Sequence, residues 1–285
     1  MSGRFKTVRK GIKTGEMKEN AIGVFDSGIG GLTVLREIVR MLPGESTMYL
    51  GDTARVPYGT KSRETVTRYA LEDARFLVAR SVKLLVAACN TASAYAIPEL
   101  KRELRVPVIG VIEPGARAAV LATRTNRIGV IGTEGTVRSG AYSNTIKAIK
   151  PEVMTFEKPC PLFVPLVEEG FTNDEVTDMV AVRYLDGLKK EGIDTLVLGC
   201  THYPLLKETI ARVMGTGIRL IDSAESTAVE VRRTLAQTGL LNGGGEDGAY
   251  HRFFVTDSPE RFLKVGRMFF GDKLNGTELV DLEGI

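Results

Sequence analysis

The residues best suited to chemistry are two cysteines, each placed directly after an apolar run. Residues 83–88 lead into Cys89 and residues 195–199 lead into Cys200, and hydroxyl or amide side chains follow both. Strands of a parallel sheet are buried on both faces and appear as continuous apolar runs, and ligands bind beyond their carboxyl ends. The sequence therefore predicts two thiols at two strand ends.

A pair of thiols favours a different reaction from a single one. Two acid/base groups on opposite faces of a carbon can remove a proton from one side and return it from the other, which inverts a stereocentre. One sulfur must then be a thiolate and the other a thiol. A following helix would direct N–H groups at each sulfur and lower its pKa from about 8.5. Acyl transfer by one cysteine and a histidine would leave the second sulfur unused.

Three side chains near the predicted strand ends could support the thiols. Asp26 ends an early strand and could orient Cys89 or bind a substrate ammonium, while Ser27 opens a glycine turn that offers donors. His202 is a candidate partner for Cys200. Asp26 is equally the type of residue that caps a turn, and His202 could be a structural histidine.

Glycine-rich segments do not predict a nucleotide site. Residues 28–31 do not form G-x-G-x-x-G, and residues 59–62 lack the earlier glycine of a P-loop. Pro57, Tyr58 and Gly59 instead suggest a rigid loop that presents a phenol and backbone amides, or else an ordinary turn.

The order of the predicted elements indicates an α/β fold with a mostly parallel sheet. Strands are predicted at 22–26, 47–52, 83–88, 107–112, 127–132, 195–199 and 251–256, and helices at 32–41, 62–80, 92–104, 224–239 and 259–271. Ser258 is predicted to be the N-cap of the last helix, with Pro259 as its first residue.

The pattern of residues 22–31 starts again at residues 127–136, both opening on I-G-V. From Gly23 to Cys89 is 66 positions, and from Gly129 to Cys200 is 71. This repeat predicts two pseudo-twofold-related lobes, each a mostly parallel sheet flanked by helices, with the active site in the cleft between them. The first lobe would comprise residues 21–113 and 223–285, and the second residues 114–222.

Charge and composition narrow the function classes. Residues 1–20 carry a net charge of +4 and residues 21–285 a net charge of −1. We expect the first twenty residues to be a flexible basic extension. Because the rest of the chain has no basic excess, we expect no nucleic-acid partner. Neither a signal-type apolar segment nor a membrane-length apolar run is present, so the expected location is cytoplasmic, without membrane association. The spacing of the three cysteines fits neither a disulfide framework nor a C-x-x-C site, and Cys160 is expected to be structural. The chain has two histidines, too few for a histidine-rich metal site.

Taken together, four motifs resemble the glutamate racemases, cofactor-independent enzymes of the aspartate/glutamate racemase superfamily. They are the segments 25–31, 52–60, 88–93 and 199–204. The resemblance extends over about residues 21–270, and it implies that Cys89 and Cys200 are the acid/base thiols, aided by Asp26, His202 and Glu168. It also implies an amino-acid pocket formed by Asp26, Ser27, Pro57, Tyr58, Gly59, Asn90, Thr91, Thr133, Thr201 and His202.

The resemblance further implies glutamate as the substrate, a role in supplying D-glutamate for peptidoglycan, no cofactor or metal, and a homodimer. An anionic peptidoglycan precursor is a candidate activator, because some members with a basic extension respond to one. Two alternatives stay open: a racemase for aspartate or another amino acid, and a non-catalytic regulator that keeps the fold.

Overall fold

The computed structural model describes residues 18–244 and 248–284. The first seventeen residues of the basic extension, residues 245–247 and residue 285 lie outside the described part. Predictions about the extension are therefore not addressed by the fold.

The described strands form two sheets, and every strand pair in them is parallel. The first sheet has the order β10-β9-β2-β1-β3-β4 and the second β6-β5-β7-β8. The strands are β1 (Ile22–Asp26), β2 (Thr47–Gly51), β3 (Leu84–Ala87), β4 (Val108–Gly110), β5 (Arg127–Gly132), β6 (Met154–Pro159), β7 (Thr195–Gly199), β8 (Arg219–Asp222), β9 (His251–Val255) and β10 (Glu278–Leu279).

Helices connect the strands, as parallel pairing requires. They are α1 (Leu32–Met41), α2 (Arg63–Val78), α3 (Asn90–Glu103), α4 (Ile112–Ala122), α5 (Glu134–Ser139), α6 (Ala141–Ile149), α7 (Phe163–Glu168), α8 (Glu175–Lys190), α9 (Lys207–Met214), α10 (Ser223–Gln237) and α11 (Pro259–Phe270). Short 3₁₀ turns occupy Thr53–Arg55, Tyr58–Thr60 and Tyr203–Leu206. The predicted α/β class with two parallel sheets flanked by helices is confirmed.

The internal repeat is visible in the strand order. The order β2-β1-β3-β4 in the first sheet corresponds to β6-β5-β7-β8 in the second. Phe25 on β1 pairs with Ala87 on β3, and Gly132 on β5 pairs with Gly199 on β7. The strand that ends before each cysteine therefore lies beside the strand that opens its repeat. The C-terminal strands β9 and β10 extend the first sheet, while the residue boundaries proposed for the lobes stay a prediction.

Several local predictions were wrong. The strand predicted over 107–112 is shorter, because α4 already begins at Ile112. Pro259 does begin α11, but Ser258 has a φ of 52° and its side chain makes no cap hydrogen bond. The stretch before Cys160, where no strand is predicted, is strand β6. Its residues are exposed or half-buried, and it mixes apolar and polar side chains, so it lacks the continuous apolar pattern of a buried strand.

Within the part of the chain that the structure describes, no helix has the length and apolar character needed to cross a bilayer.

Candidate active site

Cys89 and Cys200 line the same small cavity, of about 60 Å³. Every residue proposed from sequence for the pocket lines the cavity too, except Asp26, and so does Glu168, which was proposed as an auxiliary catalytic residue: the lining includes Ser27, Pro57, Tyr58, Gly59, Asn90, Thr91, Thr133, Glu168, Thr201 and His202. A larger cavity of about 720 Å³ lies between Arg55 and residues 279–284, but neither thiol borders it. The two cysteine-bearing strand ends thus face one small space.

Cys89 occupies the N-cap of α3, where the backbone N–H of Ala92 points at its sulfur over 3.5 Å. The thiol also lies 3.6 Å from the hydroxyl oxygen of Ser27. Burial and, to a smaller extent, the nearby Asp26 nevertheless raise the pKa of Cys89 to about 12, although the hydrogen bonds with Ala92 and Ser27 act in the opposite direction. The predicted lowering of this pKa is wrong, because desolvation of the sulfur outweighs the helix terminus. Cys89 is therefore a thiol at neutral pH.

Cys200 has a different environment, dominated by a histidine. Nδ1 of His202 lies 4.0 Å from the sulfur, and Nε2 lies 3.0 Å from Oε1 of Glu168. Burial lowers the pKa of His202, but its interactions with Cys200 and Glu168 outweigh burial and raise it to about 10. The hydrogen bond with His202 holds the pKa of Glu168 below its usual value despite burial of the carboxylate. A positive imidazolium thus stands beside the second sulfur.

Asp26 lies near Cys89 but not on the cavity wall. It is fully buried, and Oδ2 accepts a 3.0 Å hydrogen bond from the N–H of Gly28. Oδ1 is buried without a hydrogen-bond partner among the described residues. Burial raises the pKa of Asp26, while the charge on His202 acts in the opposite direction. Its position suits an electrostatic effect on Cys89 better than direct contact with a ligand in the cavity.

Tyr58 lines the cavity, but its phenol is engaged elsewhere. The hydroxyl binds the carboxylates of Asp52 and Asp73, and both also bind Arg55. Burial and the neighbouring Asp52 raise the pKa of Asp73 well above its usual range. The expectation that the loop presents a phenol to the ligand is therefore not met, and the hydroxyl instead anchors the loop to α2.

Hydrogen-bonding groups from both sheets meet at the other side of the cavity. Asn90 accepts from the hydroxyl of Tyr142 at 2.7 Å, which leaves its buried Nδ2 without a partner among the described residues. Thr91, after β3, lies 2.9 Å from the hydroxyl of Thr133, after β5. Amide and hydroxyl donors suit a carboxylate ligand.

Gly30 marks a close approach between the two sides of the cavity. A methyl group at this position would lie 2.3 Å from Oγ1 of Thr201 and 2.4 Å from Nδ1 of His202. The turn after β1 therefore presses directly against the segment that follows β7. Only a residue without a side chain fits there.

Sequence reasoning missed residues that no motif connects to the site. Arg261 on α11 binds Glu168 and Glu169, and Phe269 on the same helix packs edge-on against His202 with ring centroids 5.3 Å apart. Tyr142, which holds Asn90, was also missed. These contacts join segments far apart in the chain, so only the folded structure reveals them.

The chain is an α/β protein with two parallel sheets, and a buried pair of cysteines lies in the cleft between the strand ends of the two sheets. The sequence profile of the Asp/Glu/Hydantoin racemase family matches residues 22–231, and the chain belongs to this family.

Its relatives include the glutamate racemase of Geobacter metallireducens, 58% identical over 94% of this chain and 98% of that protein. The crystal structure of glutamate racemase from Francisella tularensis in complex with D-glutamate has a TM-score of 0.88 and 39% identity, covering 94% of this chain and 100% of that one. The Escherichia coli glutamate racemase in complex with L-glutamate and the activator UDP-MurNAc-ala has a TM-score of 0.72 and 32% identity, covering 88% and 96%. An aspartate racemase homologue from Pyrococcus horikoshii shares the fold alone, at 17% identity and a TM-score of 0.55.

Proposed function

We propose that this protein interconverts L-glutamate and D-glutamate without a cofactor, by acid/base catalysis with two thiols. The observation that carries the proposal is that Cys89 and Cys200 line the same small cavity at the ends of corresponding strands. Similarity to glutamate racemases at up to 58% identity favours glutamate as the substrate over aspartate.

The two sulfurs have unequal surroundings, which suits unequal starting roles. Cys200 beside the imidazolium of His202 is the group that starts as thiolate, and Cys89, desolvated near Asp26, starts as thiol. The thiolate takes the α-proton from one face, and the S–H of Cys89 then gives its proton to the other face of the carbanion. The product leaves with the proton on Cys200 and the charge on Cys89, the state that serves the reverse reaction.

Substrate binding uses groups that are unpaired or clustered in the described structure. Nδ2 of Asn90 and the hydroxyls of Thr91, Thr133 and Thr201 donate to the substrate carboxylates. At about 60 Å³ the cavity is well below the roughly 300–1,000 Å³ of ordinary ligand pockets. The two sides must therefore separate to admit glutamate and close again for catalysis.

The decisive experiment follows L-glutamate in deuterium oxide without pyridoxal phosphate, monitoring optical rotation and α-deuterium. We expect deuterium to enter the product before it enters unreacted substrate, because the proton is taken and returned by different groups. A folded sample showing neither racemisation nor exchange would refute the proposal and favour a non-catalytic regulator. Faster turnover of aspartate than of glutamate would favour the other racemase.

The thiols are tested one at a time. Cys89→Ser and Cys200→Ser are each expected to abolish racemisation, since a hydroxyl is a far weaker acid than a thiol. Cys160→Ala is the control, because Cys160 is buried outside the cavity. Activity near the wild-type level in either serine variant would contradict the two-thiol mechanism.

We further infer that the enzyme supplies D-glutamate for peptidoglycan in the cytoplasm and works as a homodimer. We also infer that a nucleotide-linked peptidoglycan precursor activates the enzyme. Support comes from the Escherichia coli relative, which was crystallised with UDP-MurNAc-ala, and from the +4 charge of residues 1–20. Deleting residues 1–20 should weaken the response to UDP-MurNAc-ala. If the activation by UDP-MurNAc-ala is unchanged, the extension has no role in it. Light scattering, which gives the molar mass in solution, tests whether the enzyme is a homodimer.

A further inference from the structure

The carboxylate of Glu168 has a second partner, which comes from the opposite sheet. Oε1 faces His202, while Oε2 lies 3.2 Å from Nη2 of Arg261. The same nitrogen lies 3.3 Å from Oε1 of Glu169. Arg261 stands on α11, which connects two strands of the first sheet, whereas Glu168 and His202 belong to segments flanking β7 of the second. The contact therefore exists only while the two sides are together.

Glu168 needs such a cation for a physical reason. It is the last residue of α7, where the free carbonyl groups of a helix disfavour a negative charge. Arg261 offsets this effect and fixes one carboxylate oxygen, so that the other faces Nε2 of His202. A fixed acceptor at Nε2 determines the direction in which Nδ1 points, and Nδ1 faces Cys200.

A second contact from the same helix supports this arrangement. Phe269, two turns further along α11, packs edge-on against the imidazole of His202 at 5.3 Å between centroids. Helix α11 thus contacts both Glu168 and His202: its first turn contacts Glu168, and its last turn contacts His202. The ion pair itself is half exposed at Arg261, with 52% of that side chain accessible, so its contribution to folding stability is small.

We propose that Arg261 is a positioning residue that locks Glu168 against His202 when the cleft closes, so that the imidazole is aligned with Cys200 only in the closed enzyme. The inference rests on the proposed function, in which Cys200 exchanges a proton with the substrate. Opening of the cleft separates Arg261 from Glu168 and releases the alignment.

The first test measures turnover. Arg261→Met is expected to lower kcat/KM about 10-fold, and Arg261→Lys to restore part of it, because a lysine keeps the charge but not the fork of donors. Arg267→Met is the matched control, since Arg267 is exposed on the same helix and no ion pair is recorded for it among the described residues. In a Glu168→Gln background, Arg261→Met should change kcat/KM less than about 2-fold further, because the two residues act through one contact. Additive losses would overturn the proposal.

The second test needs no turnover and so separates this proposal from the proposed reaction. The chain has two histidines, so ¹⁵N-labelled histidine gives two imidazole titrations, and His202→Asn identifies one of them. Removing a positive charge alone would raise the pKa of His202, whereas losing the alignment of Glu168 lowers it. We expect the pKa of His202 to fall by about 1 or more in Arg261→Met and to recover in part in Arg261→Lys. An unchanged or raised value in folded Arg261→Met protein would overturn the proposal, whatever the activity.

Discussion

Gly30 is the position where one added carbon atom tests whether catalysis requires the closed cleft. Its φ is outside the left-handed region, so alanine is acceptable to the backbone. The new methyl group would lie 2.3 Å from Oγ1 of Thr201, and 2.4 and 2.6 Å from Nδ1 and Cε1 of His202. Ordinary non-bonded contacts between heavy atoms are about 3.5–4.0 Å. The two sides would have to separate by about 1 Å or more, or the imidazole would have to leave Cys200 and Glu168.

The expected magnitude follows from the geometry. Overpacking of this kind costs about 1–3 kcal/mol when the surroundings cannot move. Here the cleft can open, so much of the cost falls on the closed state rather than on folding. A displacement of about 1 Å at reacting groups costs roughly 100-fold in rate. We therefore expect Gly30→Ala to lower kcat/KM by about 100-fold while the midpoint of thermal unfolding changes by only a few degrees.

The assay compares initial rates of racemisation by circular dichroism with unfolding curves of the same samples. Gly187→Ala is the matched control, because Gly187 lies within α8 with nothing within 4 Å of an added methyl group. That variant should keep full activity and gain up to about 1 kcal/mol of stability. A Gly30→Ala enzyme with near-wild-type kcat/KM would show that the contact between Gly30 and His202 is dispensable, and the reasoning would fail.

Three further predictions concern single residues. The pKa of His202 is raised to about 10 from its unfolded value of about 6.5, so the stabilisation from its charged form is complete below pH 6.5 and is lost as pH rises through 10. The free energy of unfolding, measured with urea, should therefore fall with pH across this range, and His202→Asn should reduce that slope. Asn90→Asp keeps the acceptor for Tyr142 but replaces the free donor by a charge that repels substrate, so KM for glutamate should rise about 10-fold or more, and an unchanged KM would remove Asn90 from the carboxylate site. Tyr58→Phe removes one donor from two buried aspartates that keep only their other donors, such as Arg55, so chemical denaturation should show a loss of about 1–3 kcal/mol, and equal stability would show that the hydroxyl bonds contribute nothing.

The sequence already determined which strands carry the thiols. An apolar run that stops at a cysteine followed by polar side chains has few interpretations, because buried parallel strands and their ligand-binding ends have strong local patterns. The I-G-V repeat likewise predicted two units, and the corresponding strand orders confirm it. Strand β6 escaped prediction, since its side chains are not buried and its pattern resembles that of a loop.

The protonation state of Cys89 was decided by the tertiary structure. A helix start after Cys89 is visible in the sequence and favours a thiolate, but complete burial near Asp26 reverses the effect. Burial depends on every element that packs around the sulfur, so it cannot be predicted from the local sequence segment alone. Similarly, the hydroxyl of Tyr58 was expected in the pocket, but Asp52 and Asp73 bind it from other elements.

Local patterns thus determined the parts of the site that lie at strand ends: Cys89, Cys200, His202 and the threonines and asparagine beside them. Only the folded chain decided how those parts are paired. Arg261 contacts Glu168 across 93 positions of the chain, and Phe269 contacts His202 across 67. Such contacts depend on the relative placement of two sheets, which a short-range sequence pattern cannot encode.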